Sequence, residues 1–294
     1  MENDKKMNEI VAKRLAVIRH LFEKGKSLSL EGEPINGLCL LPFHDSVEMF
    51  MKLCADENGI KINRDTKFAD YFELLPTLQD KTQMMSLNVR RVSLKHHGQM
   101  PSSLDVEMTR VNVIDFFAHN TPCFFGCNLE DVSLEVLIPF PKVREYLQTY
   151  HDFIDKGNYS DAQGQCQIAF RVLMIDYHNK YDRTFDFKAG PTSELEYLRS
   201  PNLEKNTDDY LETLKEAVYG LNEAISVMSL GINYYRYREF IALGPQIYRS
   251  FNYEESFQYF IGNSSMYNEE TAKACYDFVV ETALQLQGKN VFLI

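Results

Sequence analysis

Apolar residues recur at helical spacing in nearly every long segment of this chain. Val11, Leu15, Ile18 and Phe22 form one ladder; Phe43, Val47, Phe50 and Cys54 form a second. Leu211, Leu214, Val218, Leu221, Ile225 and Met228 form a third. Residues three and four apart share one face of a helix, so each ladder is a stripe that must be buried against another helix. Strict alternation, the signature of a half-buried strand, organises no segment, although a short hairpin fits near 184–190. The pattern predicts an all-α protein. Helices are expected over 6–24, 35–58, 67–75, 80–97, 102–119, 132–157, 159–181, 208–230 and 268–287. The 294 residues suffice for two modest domains. Pro122, Gly126 and Asn128 break the pattern and place a border near 125/126, giving 1–125 and 126–294.

Composition narrows the function classes. The formal charge of −11 argues against non-specific coating of nucleic acid, while leaving room for a local basic cleft. Six widely spaced cysteines, with only Cys123 and Cys127 close together, fit free thiols in a reducing compartment. The N-terminus lacks an apolar leader core, and no run approaches the ~20 apolar residues of a membrane span. A cytoplasmic protein without membrane attachment is expected. The histidines are scattered, so no metal site and no cofactor is expected.

The informative stretch is Leu87-Asn88-Val89-Arg90-Arg91-Val92-Ser93-Leu94-Lys95-His96-His97-Gly98. Gly98 suits the left-handed residue that ends a helix, and Pro101 cannot continue one. Ser102 with Asp105 three later has capping-box spacing for the next helix. At about 100° per residue, Asn88, Arg91 and Lys95 share a stripe. Leu87 and Leu94 flank it on one side, Met85, Val89 and Val92 on the other. Ser86, Arg90, Ser93 and His97 fall on a far face expected to be wet. A cationic stripe between apolar flanks needs an anion, from the fold or from a ligand. Arg91 and His96 point roughly 140° apart, so one helix does not bring both to one phosphate. Two helices related by a two-fold axis can. His44 and Glu48, four apart, read as a surface or boundary pair, with a supporting role beside Arg91 as the sharper alternative. The helix after Pro101 is expected to be buried on most sides, and His119 to cap its end. The run Tyr234-Tyr235-Arg236-Tyr237-Arg238 reads as a tyrosine-rich core helix with surface arginines rather than a base-stacking platform.

The run from Arg91 to Gly98, with Pro101-Ser102 and a new helix behind it, resembles the signature of the HEPN superfamily (higher eukaryotes and prokaryotes nucleotide-binding). Its active members carry an Arg, four to six residues, then a His; Arg91 and His96 match with four between. The resemblance covers roughly residues 1–125. It implies a small helical bundle acting as a homodimer, with two Arg/His pairs in one cleft. It also implies a metal-independent endoribonuclease, often a toxin or antiphage effector. Arg91 would then steady the phosphate, and His96 would do acid/base work. Asn88, Lys95 and His97 are the candidate substrate-binding residues. RNA is the expected partner, with an antitoxin or sensor protein as a further one. Active members usually have a polar residue after the Arg, where this chain has Val92. With the acidic charge, that motivates a second reading, a non-catalytic RNA-, nucleotide- or protein-binding module of the same fold.

Overall fold

The computed structural model describes residues 8–181, 205–249, 257–261 and 266–287, and they form an all-α protein with one short hairpin. The expected hairpin near 184–190 lies outside the described residues. The chain divides into two compact units, 1–137 and 138–294.

In the first unit, α1 (Glu9–Ser29) lies along α2 (Leu40–Glu57), which follows a 3-10 turn over Ile35–Cys39. Pro42 sits in the first turn of α2, where its missing N–H has no helical acceptor to serve. Gly25 lets the two helices approach: a Cβ there would stand 2.4 Å from Cδ1 of Phe43. A one-turn helix, α3 (Tyr71–Leu74), precedes α4 (Lys81–His97) and α5 (Ser103–Phe125). α4 packs on both α2 and α5, and α5 also packs on α1. Leu15, Ile18, Phe22, Phe43, Phe50, Met84, Leu87, Phe116 and Phe117 are core residues. The Phe50 ring meets Phe116 and Phe117 edge-on, with centroids 5.6 and 5.4 Å away. After Gly126 the chain returns to α1, where Arg19 donates to the Val132 carbonyl at 2.6 Å.

The α4–α5 junction follows its local signals. Gly98 has φ +66°; its N–H reaches the Leu94 carbonyl at 3.1 Å, and that of Gln99 reaches Ser93 at 3.2 Å. Ser102 and Asp105 form a complete capping box. His119 meets the carboxylate of Asp80, at the other end of α4, at 2.8 Å.

In the second unit, α6 (Pro141–Ile154) pairs with α7 (Tyr159–Tyr181). α8 (Lys205–Ser229) leads to α9 (Tyr234–Leu243), and α10 (Glu269–Gln287) packs on α7 and α9. Between α9 and α10, β1 (Gln246–Arg249) and β2 (Phe257–Phe260) pair antiparallel, with Gln246 opposite Phe260. This hairpin, absent from the sequence reading, lies on α7. The aromatic run of α9 splits by face: Tyr237 and Phe240 are buried, with Phe240 stacked on Phe278, while Tyr235 is exposed. Among the described residues, no helix is long and apolar enough to cross a membrane.

Candidate functional site

The site is built on α4, and its faces depart from the wheel drawn from sequence. α2 and α5 both cover this helix, but neither covers the side of Val89 and Val92. Those two side chains are 61% and 37% exposed. His96 continues the same open stripe, and Met100 beyond the helix is exposed as well. Arg90, expected on a wet face, instead packs toward α5. Its Nε donates to Asp105 Oδ1 at 3.0 Å, and its Nη2 lies 2.9 Å from the same oxygen. The capping hydrogen bond from Ser102, with the nearby Arg90 charge, holds the Asp105 carboxyl below its usual value. α5 is not buried on most sides either. Leu104, Met108 and Val111 form an exposed apolar arc, while Val106, Val113, Phe116 and Phe117 face the core.

Asn88 and Arg91 face α2. The Asn88 Oδ1 lies 3.1 Å from Nε2 of His44, a residue only 3% exposed. The expectation of a surface or boundary pair at His44 and Glu48 is therefore corrected. His44 is buried because α4 and the Phe68 ring close over it; the ring stacks at 4.8 Å between centroids. Glu48 is partly buried and takes the Lys52 ammonium at 2.7 Å. Desolvation lowers the His44 pKa below that of free imidazole, and the Arg91 charge pushes the same way. Burial raises the Glu48 carboxyl, but the Lys52 hydrogen bond and the charges of Lys52, His44 and Arg91 outweigh it, leaving a net lowering.

Arg91 is the cation of this group, near enough to Glu48 for its charge to act on that carboxyl. Among the described residues no hydrogen bond or ion pair engages its guanidinium, and its Nε is buried without a partner. A guanidinium is rarely left so, because each buried N–H without an acceptor costs free energy. Its planar fork suits two oxygens of a phosphate or carboxylate. Lys95, His96 and His97 are exposed at the end of α4.

One copy of the chain thus gathers Asn88, Arg91, His44 and Glu48 against α2, with Lys95 a turn away. It leaves His96 on the open stripe with Val89 and Val92, and does not bring His96 to Arg91. Sequence reasoning missed Asp45. With His44 and Glu48 it forms a cluster whose ligand atoms lie within 4.8 Å of one another. The signal was present in the i, i+4 spacing of His44 and Glu48 on one helix. The chain matches no family model, no curated protein and no solved structure.

Proposed function

We propose that the chain is a metal-independent RNA endonuclease of HEPN type, working in the cytoplasm as a toxin or defence effector. The observation that carries this reading is Arg91: a positioned guanidinium whose buried Nε has no hydrogen-bond partner and which no carboxylate pairs with among the described residues. A phosphodiester supplies the missing anion. In this reaction the RNA 2′-hydroxyl attacks the adjacent phosphorus and the 5′-oxygen leaves. One imidazole accepts the hydroxyl proton, a second protonates the departing oxygen, and Arg91 balances the charge on the phosphoryl oxygens. His96 provides both imidazoles when two copies of α4 face each other across a two-fold axis. The open stripe of Val89 and Val92 beside His96, and the exposed arc of Leu104, Met108 and Val111, favour such pairing, because apolar side chains concentrated on one face drive association. Asn88 and Lys95 orient the phosphate, and His97 contacts the RNA from the helix end. An antitoxin or sensor protein would restrain the activity.

The test compares cleavage of total cellular RNA by the wild type, Arg91→Ala and His96→Ala. Loss of cutting in both variants supports the assignment; wild-type cutting by both rejects it. A second reading, a non-catalytic binding module, draws on Val92 after Arg91 and on the charge of −11. It predicts that the wild type binds RNA without cutting it.

A further inference from the structure

His44 carries a second arrangement that the cleavage reaction does not use. Its Nε2 faces the Asn88 Oδ1 at 3.1 Å. An amide oxygen only accepts, so Nε2 holds the ring proton and donates it. In the neutral ring Nδ1 is then a bare lone pair. It is buried and lacks a hydrogen-bond partner. It lies 3.7 Å from Asp45 Oδ1 and 3.8 Å from Glu48 Oε2. The buried imidazole nitrogen and the two carboxylate oxygens form one group of possible ligand atoms within 4.8 Å of one another.

We propose that His44, Asp45 and Glu48 form a binding site for a divalent cation of the manganese or zinc class. One imidazole nitrogen and two carboxylate oxygens are a donor set such ions accept. A metal-bound histidine usually anchors its other ring N–H on an oxygen, and Asn88 fills that role here. Bonds of about 2.1 Å in a tetrahedral site place ligand atoms roughly 3.4 Å apart. The observed 3.7 and 3.8 Å from the imidazole, in a group of ligand atoms spanning up to 4.8 Å, need the exposed Asp45 side chain and Glu48 to rotate inward. Lys52 occupies Oε1 of Glu48 and leaves Oε2 for the ion. The Lys52 and Arg91 charges oppose a dication and keep its binding moderate.

The site goes beyond the nuclease reading. The ion has no part in bond cleavage; it fixes the His44 ring and, through it, Asn88. Full-length protein freed of metal is titrated with Mn²⁺ without RNA, by calorimetry and by loss of the free-ion paramagnetic signal. Mn²⁺ is the probe because the accessible Cys123 and Cys127 would compete for a thiophilic ion. One-to-one saturable uptake is expected, weakened about tenfold or more in Asp45→Asn and in Glu48→Gln. Asp45 is exposed, so its substitution leaves the fold intact. No saturable uptake, or uptake that Asp45→Asn and Glu48→Gln leave unchanged, overturns the site. Because the readout contains no RNA, failure here leaves the Arg91/His96 assignment untouched, and failure of cleavage leaves this site untouched.

Discussion

Replacing Asn88 with Ala removes the acceptor that the buried His44 N–H faces at 3.1 Å. A buried donor left without a partner costs about 1–3 kcal/mol. Ala gains roughly 0.5 kcal/mol over Asn in helix propensity. The net loss should be about 1–2 kcal/mol, lowering the Tm of the first unit by about 4–8 °C. His44→Phe supplies the control. Phe retains an aromatic face for Phe68 at the site of the present stack but has no N–H to satisfy. In the His44→Phe background Asn88→Ala should therefore cost little. Urea unfolding of the wild type, both single variants and the double variant, followed by far-UV circular dichroism, gives the coupling directly. A coupling of about 1–2 kcal/mol is expected, and one below about 0.5 kcal/mol refutes the argument that Asn88 and His44 act as a pair.

Further expectations concern pH, association and the helix end. The folded-state pKa of His44 is depressed, so its contribution to stability is complete above the unfolded value near 6.5 and falls as pH drops toward the folded value. His119 runs the other way. Its bond to Asp80 raises its pKa, so that contribution is present below about 6.5 and lost as pH rises through the folded value. Urea unfolding at pH 7.5 and pH 5 should accordingly show a smaller acid loss in His44→Phe than in the wild type. Val92→Asp, on the open stripe, should shift the protein from dimer to monomer in light scattering while leaving the circular dichroism spectrum unchanged; an unaltered mass argues against that face as the seam. Gly98→Ala should destabilise by about 1 kcal/mol in denaturant titration. No atom crowds the new methyl group, and the loss comes from φ +66° alone.

What the sequence made legible was local. Gly98, Pro101 and the Ser102/Asp105 pair mark the ends of α4 and α5 through chemistry confined to a few residues, and the structure places both ends there. The ladders of α1 and α2 are visible because a helix period repeats within one segment. The third ladder marks the helix α8 but not its covered face: Leu214, Leu221 and Met228, expected to be buried, are exposed, and Ala224 and Val227 are buried instead. Which neighbour covers which face is not written in one helix. The wheel of α4 put Arg90 in water because nothing in 80–97 reveals that Asp105 and Thr109 of α5 stand opposite it. Val89 and Val92 look like core residues for the same reason. His44 is polar on an apolar ladder, and its burial depends on Asn88 and Phe68, far away in the chain. The β1–β2 hairpin escaped notice because its strands are four residues each, too short for alternation to stand out.

The central claim is that Arg91 and His96 cut RNA by attack of its own 2′-hydroxyl. It is tested most directly by the ends of the fragments. Purified protein is incubated with cellular RNA in EDTA, and the 3′ termini of the products are analysed beside those from Arg91→Ala and His96→Ala. The account predicts 2′,3′-cyclic phosphate ends from the wild type and intact RNA from both variants. Fragments ending in 3′-hydroxyl groups, or cutting that persists in both variants, would contradict it.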